Sequence, residues 1–194
     1  MALAFFDVDG TLTWIDTFVP YCMLALLYRP RRVFALKPLL KACIDFCGGR
    51  IQGQEVKESF LNTFLGGARR HEIERWNRIF YRLVFSRIIR GEMFEKLQQH
   101  KEAGDRVYLV SASPDIYLEP LARKWRLDGA ICTVLEWEDD ILTGRIVGRN
   151  CRGEEKARRI KALFTERELD GSFAYGNSDG DRQLLELATF RLKI

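Results

Sequence analysis

Leu3-Ala4-Phe5-Phe6-Asp7-Val8-Asp9-Gly10-Thr11-Leu12-Thr13 decides the fold. The apolar run Leu3 to Val8 reads as a short buried strand that delivers two carboxylates and then a glycine to its carboxyl end. Asp7 and Asp9 stand two positions apart, so an extended backbone points both to one side, where they repel unless a cation or proton intervenes. A buried strand has no structural use for such a pair. Ligands of open α/β sheets gather at the carboxyl ends of the strands, where this loop falls. A divalent metal removes the repulsion. One carboxylate can then attack phosphorus and form an aspartyl-phosphate, while the other gives a proton to the leaving alcohol and later takes one from water. The plainer reading is a solvated acidic pair between strand and turn.

Outward from this segment, Arg106 to Ser111, Ala130 to Leu135 and Ser172 to Tyr175 carry further short strand signals, with helix-length stretches between them. The alternation predicts an α/β fold with a parallel sheet covered by helices. Far more chain separates the first two strands than one crossover helix needs, which predicts an inserted, mainly helical domain. The expected division is residues 1–13 and 91–194 as catalytic core and 14–90 as helical cap. The clearest cap helix is expected over His71 to Arg90, with Ile73, Trp76, Phe80, Leu83, Val84 and Ile88 as its apolar stripe. Glu136 to Gly148 reads as a hairpin turning at Glu138 to Asp140, and Arg191 to Ile194 reads as part of a final strand.

Composition narrows the function classes. Hydrophobic residues at 47% and charged residues at 30% of the 194 allow a buried core and a soluble surface. The net charge of +4 is too mild to predict a nucleic-acid partner, so none is expected, although anionic partners are favoured. Five scattered cysteines without a CxxC pair argue against a disulfide framework or a zinc site and make a reducing cytoplasm the default. The apolar segment at Leu3 runs straight into acids, unlike a secretory signal. The longest apolar run, Phe18 to Tyr28, is well short of the ~18 residues of a spanning helix.

Three later segments extend the pattern. Asp7-Val8-Asp9-Gly10-Thr11 resembles the DxDGT first motif of the haloacid dehalogenase-like phosphatase superfamily, and the resemblance runs along nearly the whole chain. Val107 to Ser113 resembles its second motif, which implies that Ser111 and the Ala112 amide hold a phosphoryl oxygen. Gly153-Glu154-Glu155-Lys156 resembles the third, with Lys156 neutralising phosphate and nucleophile together and Arg152 as the rival candidate. Gly176-Asn177-Ser178-Asp179-Gly180-Asp181 resembles the fourth, with Asn177 as a ligand of Mg²⁺ and Asp181 as the acid that orients it. Related phosphatases usually carry Asp at the place of Asn177, and an amide oxygen supplies no charge. The alternative is a loop that caps the next helix. The resemblance thus implies a Rossmann-like three-layer core and catalysis by Asp7 and Asp9. It further implies Mg²⁺ at Asp7, Asp9, Asn177 and Asp181, and substrate contacts from Thr11, Asp16, Ser111, Ala112 and Lys156.

The insertion is similar to the helical cap of the subfamily that contains phosphoserine phosphatase, and Ile141-Leu142-Thr143-Gly144 resembles that subfamily's hairpin. Asp16 falls where such enzymes place an acid for the substrate ammonium, or else it caps the helix from about Thr17. Gly180 stands where an asparagine is expected, so phosphoserine itself is not favoured. Phe18 to Tyr28 is apolar on every face. Arg29, Arg31 and Arg32 follow, then Val33, Phe34, Leu36, Leu39 and Leu40 with Lys37 and Lys41. Such a segment suits an anionic membrane surface, and its layout resembles that of bacterial phosphatidylglycerophosphate phosphatases. The alternative is a helix buried between cap and core, with Pro20, Pro30 and Pro38 breaking the run. The leading expectation is a cytoplasmic, Mg²⁺-dependent phosphomonoesterase of a small phosphorylated metabolite such as a phosphoserine-like compound. A lipid phosphatase in peripheral contact with an anionic phospholipid surface is the second, and a phosphoester-binding protein with weak turnover the third.

Overall fold

β1 (Leu3–Phe6) turns Ala4 and Phe6 into one apolar layer and Leu3 and Phe5 into another, so both faces of the strand are covered. The other strands are β2 (Arg106–Pro114), β3 (Gly129–Thr133), β4 (Leu135–Glu138), β5 (Ile141–Ile146), β6 (Phe173–Gly176) and β7 (Phe190–Lys193). The computed structural model describes residues 1–194 apart from the side chains of Ala35 and Leu36, so Leu36's place in the apolar run lies outside the described residues. Five strands form a parallel sheet in the order β3-β2-β1-β6-β7. Its direction of winding reverses at β1, which opens a crevice beyond the carboxyl ends of β1, β2 and β6. The core is therefore the expected Rossmann-like α/β sandwich. Strand ends shift by a few residues. β1 stops at Phe6 because Val8 already belongs to a turn closed by the Thr13 N–H and hydroxyl, both donating to the Val8 carbonyl at 3.0 Å.

Between β1 and β2 lie α1 (Phe18–Tyr28), α2 (Leu36–Cys47), α3 (Gly53–Phe64), α4 (Arg70–Phe80), α5 (Ser86–Ile88) and α6 (Gly91–Glu102). Ile73, Trp76 and Phe80 of α4 are buried as the stripe predicts. Leu83 is not: Tyr81–Phe85 forms one wider turn, which shifts the helical phase so that Tyr81 and Phe85 bury while Leu83 is 48% exposed. Pro20 does not break α1, because it lies in the first turn, where its missing N–H removes no helical bond. The helix buries Tyr21, Cys22, Leu24 and Ala25 but leaves Val19, Met23 and Leu27 open, so it is not enclosed on all sides.

α7 (Asp115–Trp125) follows β2, and α8 (Glu154–Leu163), α9 (Glu166–Leu169) and α10 (Arg182–Leu187) complete the core. The inserted helices pack on α7 through Tyr21, Phe80 and Tyr117. Buried hydrogen bonds fix that contact: Tyr21 donates to Asn77 Oδ1 (2.7 Å), and Asn77 Nδ2 donates to the Ile116 carbonyl (2.7 Å). The β4–β5 hairpin, which the sequence boundaries leave in the core, also pairs with the insertion. Gly67 donates to Leu142 O (2.7 Å), Leu142 N to Ala68 O (2.9 Å), and a Cβ at Gly144 would strike the α3 backbone at Asn62.

Candidate active site

A cavity of about 430 Å³ lies between the sheet's carboxyl edge and the inserted helices. Asp7 enters it directly from β1, held by its N–H on the Tyr175 carbonyl at 2.9 Å. Gly10 has φ +81°, and a Cβ there would collide with the Asn177 amide. The DxDGT glycine is thus needed for both its conformation and the close approach of the loop after β6.

Lys156, in the first turn of α8 and 2% exposed, joins the two halves of the crevice. Its Nζ donates to Asp7 Oδ1 at 2.6 Å and to Asp181 Oδ1 at 2.5 Å. Burial pushes Asp7 up to about 7; Lys156 opposes the rise, and the charges of Asp181 and Asp9 add to it. Burial would lower Lys156, but the two carboxylates outweigh it and hold the ammonium above its usual range. Asp181 is held low: the Lys156 charge and the hydrogen bonds from Lys156 and Ser178 outweigh its own burial. Its Oδ2 accepts from Ser178 Oγ (2.7 Å), Ser178 N (3.0 Å) and Asn177 N (3.3 Å), which fixes the loop that carries Asn177.

Asp9 is arranged differently from the expectation. Its Oδ1 accepts from Thr17 N (2.8 Å) and Thr17 Oγ1 (2.6 Å), and its Oδ2 from Ser111 Oγ (2.8 Å) and Ser113 Oγ (2.7 Å). Four donors therefore occupy the carboxylate that was expected to ligate metal, and they orient it on the cavity wall. Ser111, expected on a phosphoryl oxygen, is buried behind that wall with its hydroxyl on Asp9, whereas Ala112 and Ser113 line the cavity. Thr11 is also fully buried, away from the lining.

Two buried oxygens lack a hydrogen-bond partner among the described residues and bear on the metal: Asp7 Oδ2 and Asn177 Oδ1. Leaving such atoms unsatisfied is costly, and a hard cation with oxygen ligands satisfies both. The donor set therefore fits Mg²⁺, which Asp7 and Asn177 would hold while Asp181 fixes the Asn177 loop. No group of three or more His, Cys, Asp or Glu side chains suited to a metal occurs among the described residues.

On the cap side, Asp16 lines the cavity, but its Oδ1 accepts from the N–H groups of Phe18 (2.8 Å) and Val19 (3.2 Å), capping α1. Arg152 lies over Gly180 rather than beside Asp7. Sequence reasoning missed Lys57 of α3, whose Nζ reaches the Ala112 carbonyl and Asn150 Oδ1 (2.8 Å). It also missed Thr17 and Ser113; isolated hydroxyls and a lysine on a helix carry no spacing signal.

A capped Rossmann-like core with an Asp-Lys-Asp constellation at the switch point defines the class of molecule, a hydrolase. The haloacid dehalogenase-like hydrolase family model matches residues 4–186, and the chain belongs to that family. Protein CicA of Caulobacter vibrioides is 32% identical over 189 residues, covering 96% of this chain and 82% of CicA. Phosphoserine phosphatase SerB1 of Mycobacterium tuberculosis is 28% identical over 194 residues, covering 96% of this chain and 62% of SerB1. A Bordetella pertussis Tohama I protein of unknown function superposes with a TM-score of 0.81 at 26% identity, covering 99% of this chain and 89% of that one. A substrate-bound phosphoserine phosphatase superposes with a TM-score of 0.64 at 19% identity, a likeness of fold.

Proposed function

We propose that the chain is a Mg²⁺-dependent phosphomonoesterase that works through an aspartyl-phosphate on Asp7. The observation that carries the reading is Asp7 itself, with one carboxylate oxygen on Lys156 and the other orphaned at the cavity wall. Bound Mg²⁺ would supply positive charge to the nucleophile and the phosphoryl oxygens. Lys156 neutralises the charge that gathers between Asp7 and the phosphoryl group. Asp7 forms a bond to phosphorus as the ester P–O bond breaks, and Asp9, oriented by Thr17, Ser111 and Ser113, gives the leaving alkoxide its proton. Water then attacks phosphorus and loses a proton to Asp9, which frees inorganic phosphate and Asp7.

The substrate is a small phosphorylated metabolite. Phosphoserine fits less well than a related ester, because Asp16 is committed to the α1 backbone and Gly180 offers no side chain. Asp7→Asn should lower turnover of p-nitrophenyl phosphate by at least about 1,000-fold, and so should chelation of divalent metal. Activity that survives either change sinks the mechanism.

A second reading, of location, has its own observation. Val19, Met23 and Leu27 form an exposed apolar row on α1, and Phe34 (82% exposed), Leu40 and Ile44 follow. Six basic residues stand against one acid, Asp45, between Phe18 and Ile51. This face suits peripheral binding to an anionic phospholipid surface, with Val19 at the rim of the catalytic cavity. Among the described residues no helix is long and apolar enough to cross a membrane.

A further inference from the structure

The catalytic cavity holds two cations that the phosphoryl chemistry does not use. Arg152 lines it as an exposed side chain; its backbone N–H donates to the Asn150 carbonyl (2.8 Å), while its guanidinium has neither a hydrogen-bond nor an ion-pair partner among the described residues. Room for that side chain comes from Gly180: a Cβ there would lie 3.1 Å from Arg152 Nε and 3.3 Å from its Cγ. Lys57 reaches the same loop from the cap helix α3, and its two hydrogen-bond acceptors, Asn150 Oδ1 and the Ala112 carbonyl, are both neutral. Burial lowers its pKa to about 8, with Asp9 and Asp16 opposing. Neither cation has its charge matched by a direct carboxylate contact, and Asp16 is turned onto the α1 backbone. An anionic ligand group is the complement of such a pair, and a guanidinium takes a carboxylate or phosphate through two N–H groups at once.

We propose that Arg152 and Lys57 form an anion subsite for the leaving group, so that the substrate is a phosphomonoester carrying a second negative group, carboxylate or phosphate. This rests on the phosphomonoesterase reading of the same cavity. Gly180 acts through Arg152: a larger residue there crowds the guanidinium out of the subsite.

Glycerol 3-phosphate and 3-phosphoglycerate make a matched pair of probes, sharing the phosphate and a three-carbon frame and differing at a terminal hydroxymethyl or carboxylate. Calorimetric titration of each into the non-turning-over Asp7→Asn chain with Mg²⁺ should show 3-phosphoglycerate binding about tenfold or more tighter. Adding Arg152→Gln should shrink that preference to about threefold or less, and Gly180→Asn should shrink it in the same direction. Equal affinities with Arg152 present, a preference that survives Arg152→Gln, or binding of neither ester overturns the subsite. Phosphatidylglycerophosphate in phosphatidylcholine vesicles, used in place of 3-phosphoglycerate, distinguishes a lipid phosphodiester from a soluble carboxylate as the second anion. An Arg152-dependent gain with either supports the proposal. Turnover of p-nitrophenyl phosphate by the unmutated chain separates the two readings. No turnover with Arg152-dependent binding removes the phosphomonoesterase and keeps the subsite, and turnover without such a preference does the reverse.

Discussion

Removing the ammonium of Lys156 would leave Asp7 and Asp181 facing each other at 4% and 1% exposure without a counter-charge. Breaking a buried ion network by deleting one partner costs about 3–5 kcal/mol. Lys156→Met should therefore lower the unfolding free energy in urea by about that amount, in addition to abolishing turnover. A loss below about 1 kcal/mol would mean that water already reaches the two acids. At this scale the sequence is legible where a residue sits next to a strand end or a glycine. Asp7, Lys156, Asn177 and Asp181 converge because β1, the start of α8 and the loop after β6 all open on one sheet edge. Asp9 is the instructive departure. Its place was legible but its partners were not, since Thr17, Ser111 and Ser113 reach it from two segments almost a hundred residues apart.

At the scale of elements, α1 shows how one side chain chooses between capping and binding. Asp16 satisfies two of the N–H groups that every helix leaves without a partner in its first turn. Asp16→Ala should cost about 1 kcal/mol of stability, and it should leave the ratio of phosphoserine to 3-phosphoglycerate turnover unchanged. A selective loss for phosphoserine would instead give Asp16 to a substrate ammonium. Helix and strand identities were readable from periodicity, but phase was not. The wide turn at Tyr81–Phe85 swaps Leu83 for Tyr81 and Phe85, because Tyr81 finds the Tyr117 carbonyl at 2.5 Å. The hairpin was likewise readable as a hairpin. Its allegiance to the insertion depends on Gly144 lying against α3, a contact remote in sequence.

For the whole molecule, the decisive asymmetry is that apolar surface stays exposed on one part of the insertion. Central strands buried on both faces account for the middle of the sheet, and the aromatic seam of Tyr21, Phe80 and Tyr117 accounts for the inner face of the cap helices. Nothing on the inside calls for Leu27 at 78% exposure or Leu40 at 64%, beside the exposed cations Arg31, Lys37 and Lys41. On α2 the row Lys37, Leu40, Lys41 and Ile44 mixes the two kinds on one face, which is how an interfacial helix meets anionic headgroups. Each such cation contributes about 1 kcal/mol near an anionic bilayer, so three should favour anionic over neutral vesicles by about 100-fold at low salt. The chain should co-sediment with phosphatidylglycerol-containing vesicles and remain in the supernatant with pure phosphatidylcholine. Binding should weaken as added salt shortens the Debye length from about 10 Å at 0.1 M. Leu27→Ser with Phe34→Ser should release it without touching Asp7 or Lys156. Equal binding to neutral vesicles would leave the cations without a part in it, and no binding to anionic ones would overturn the membrane reading of this face.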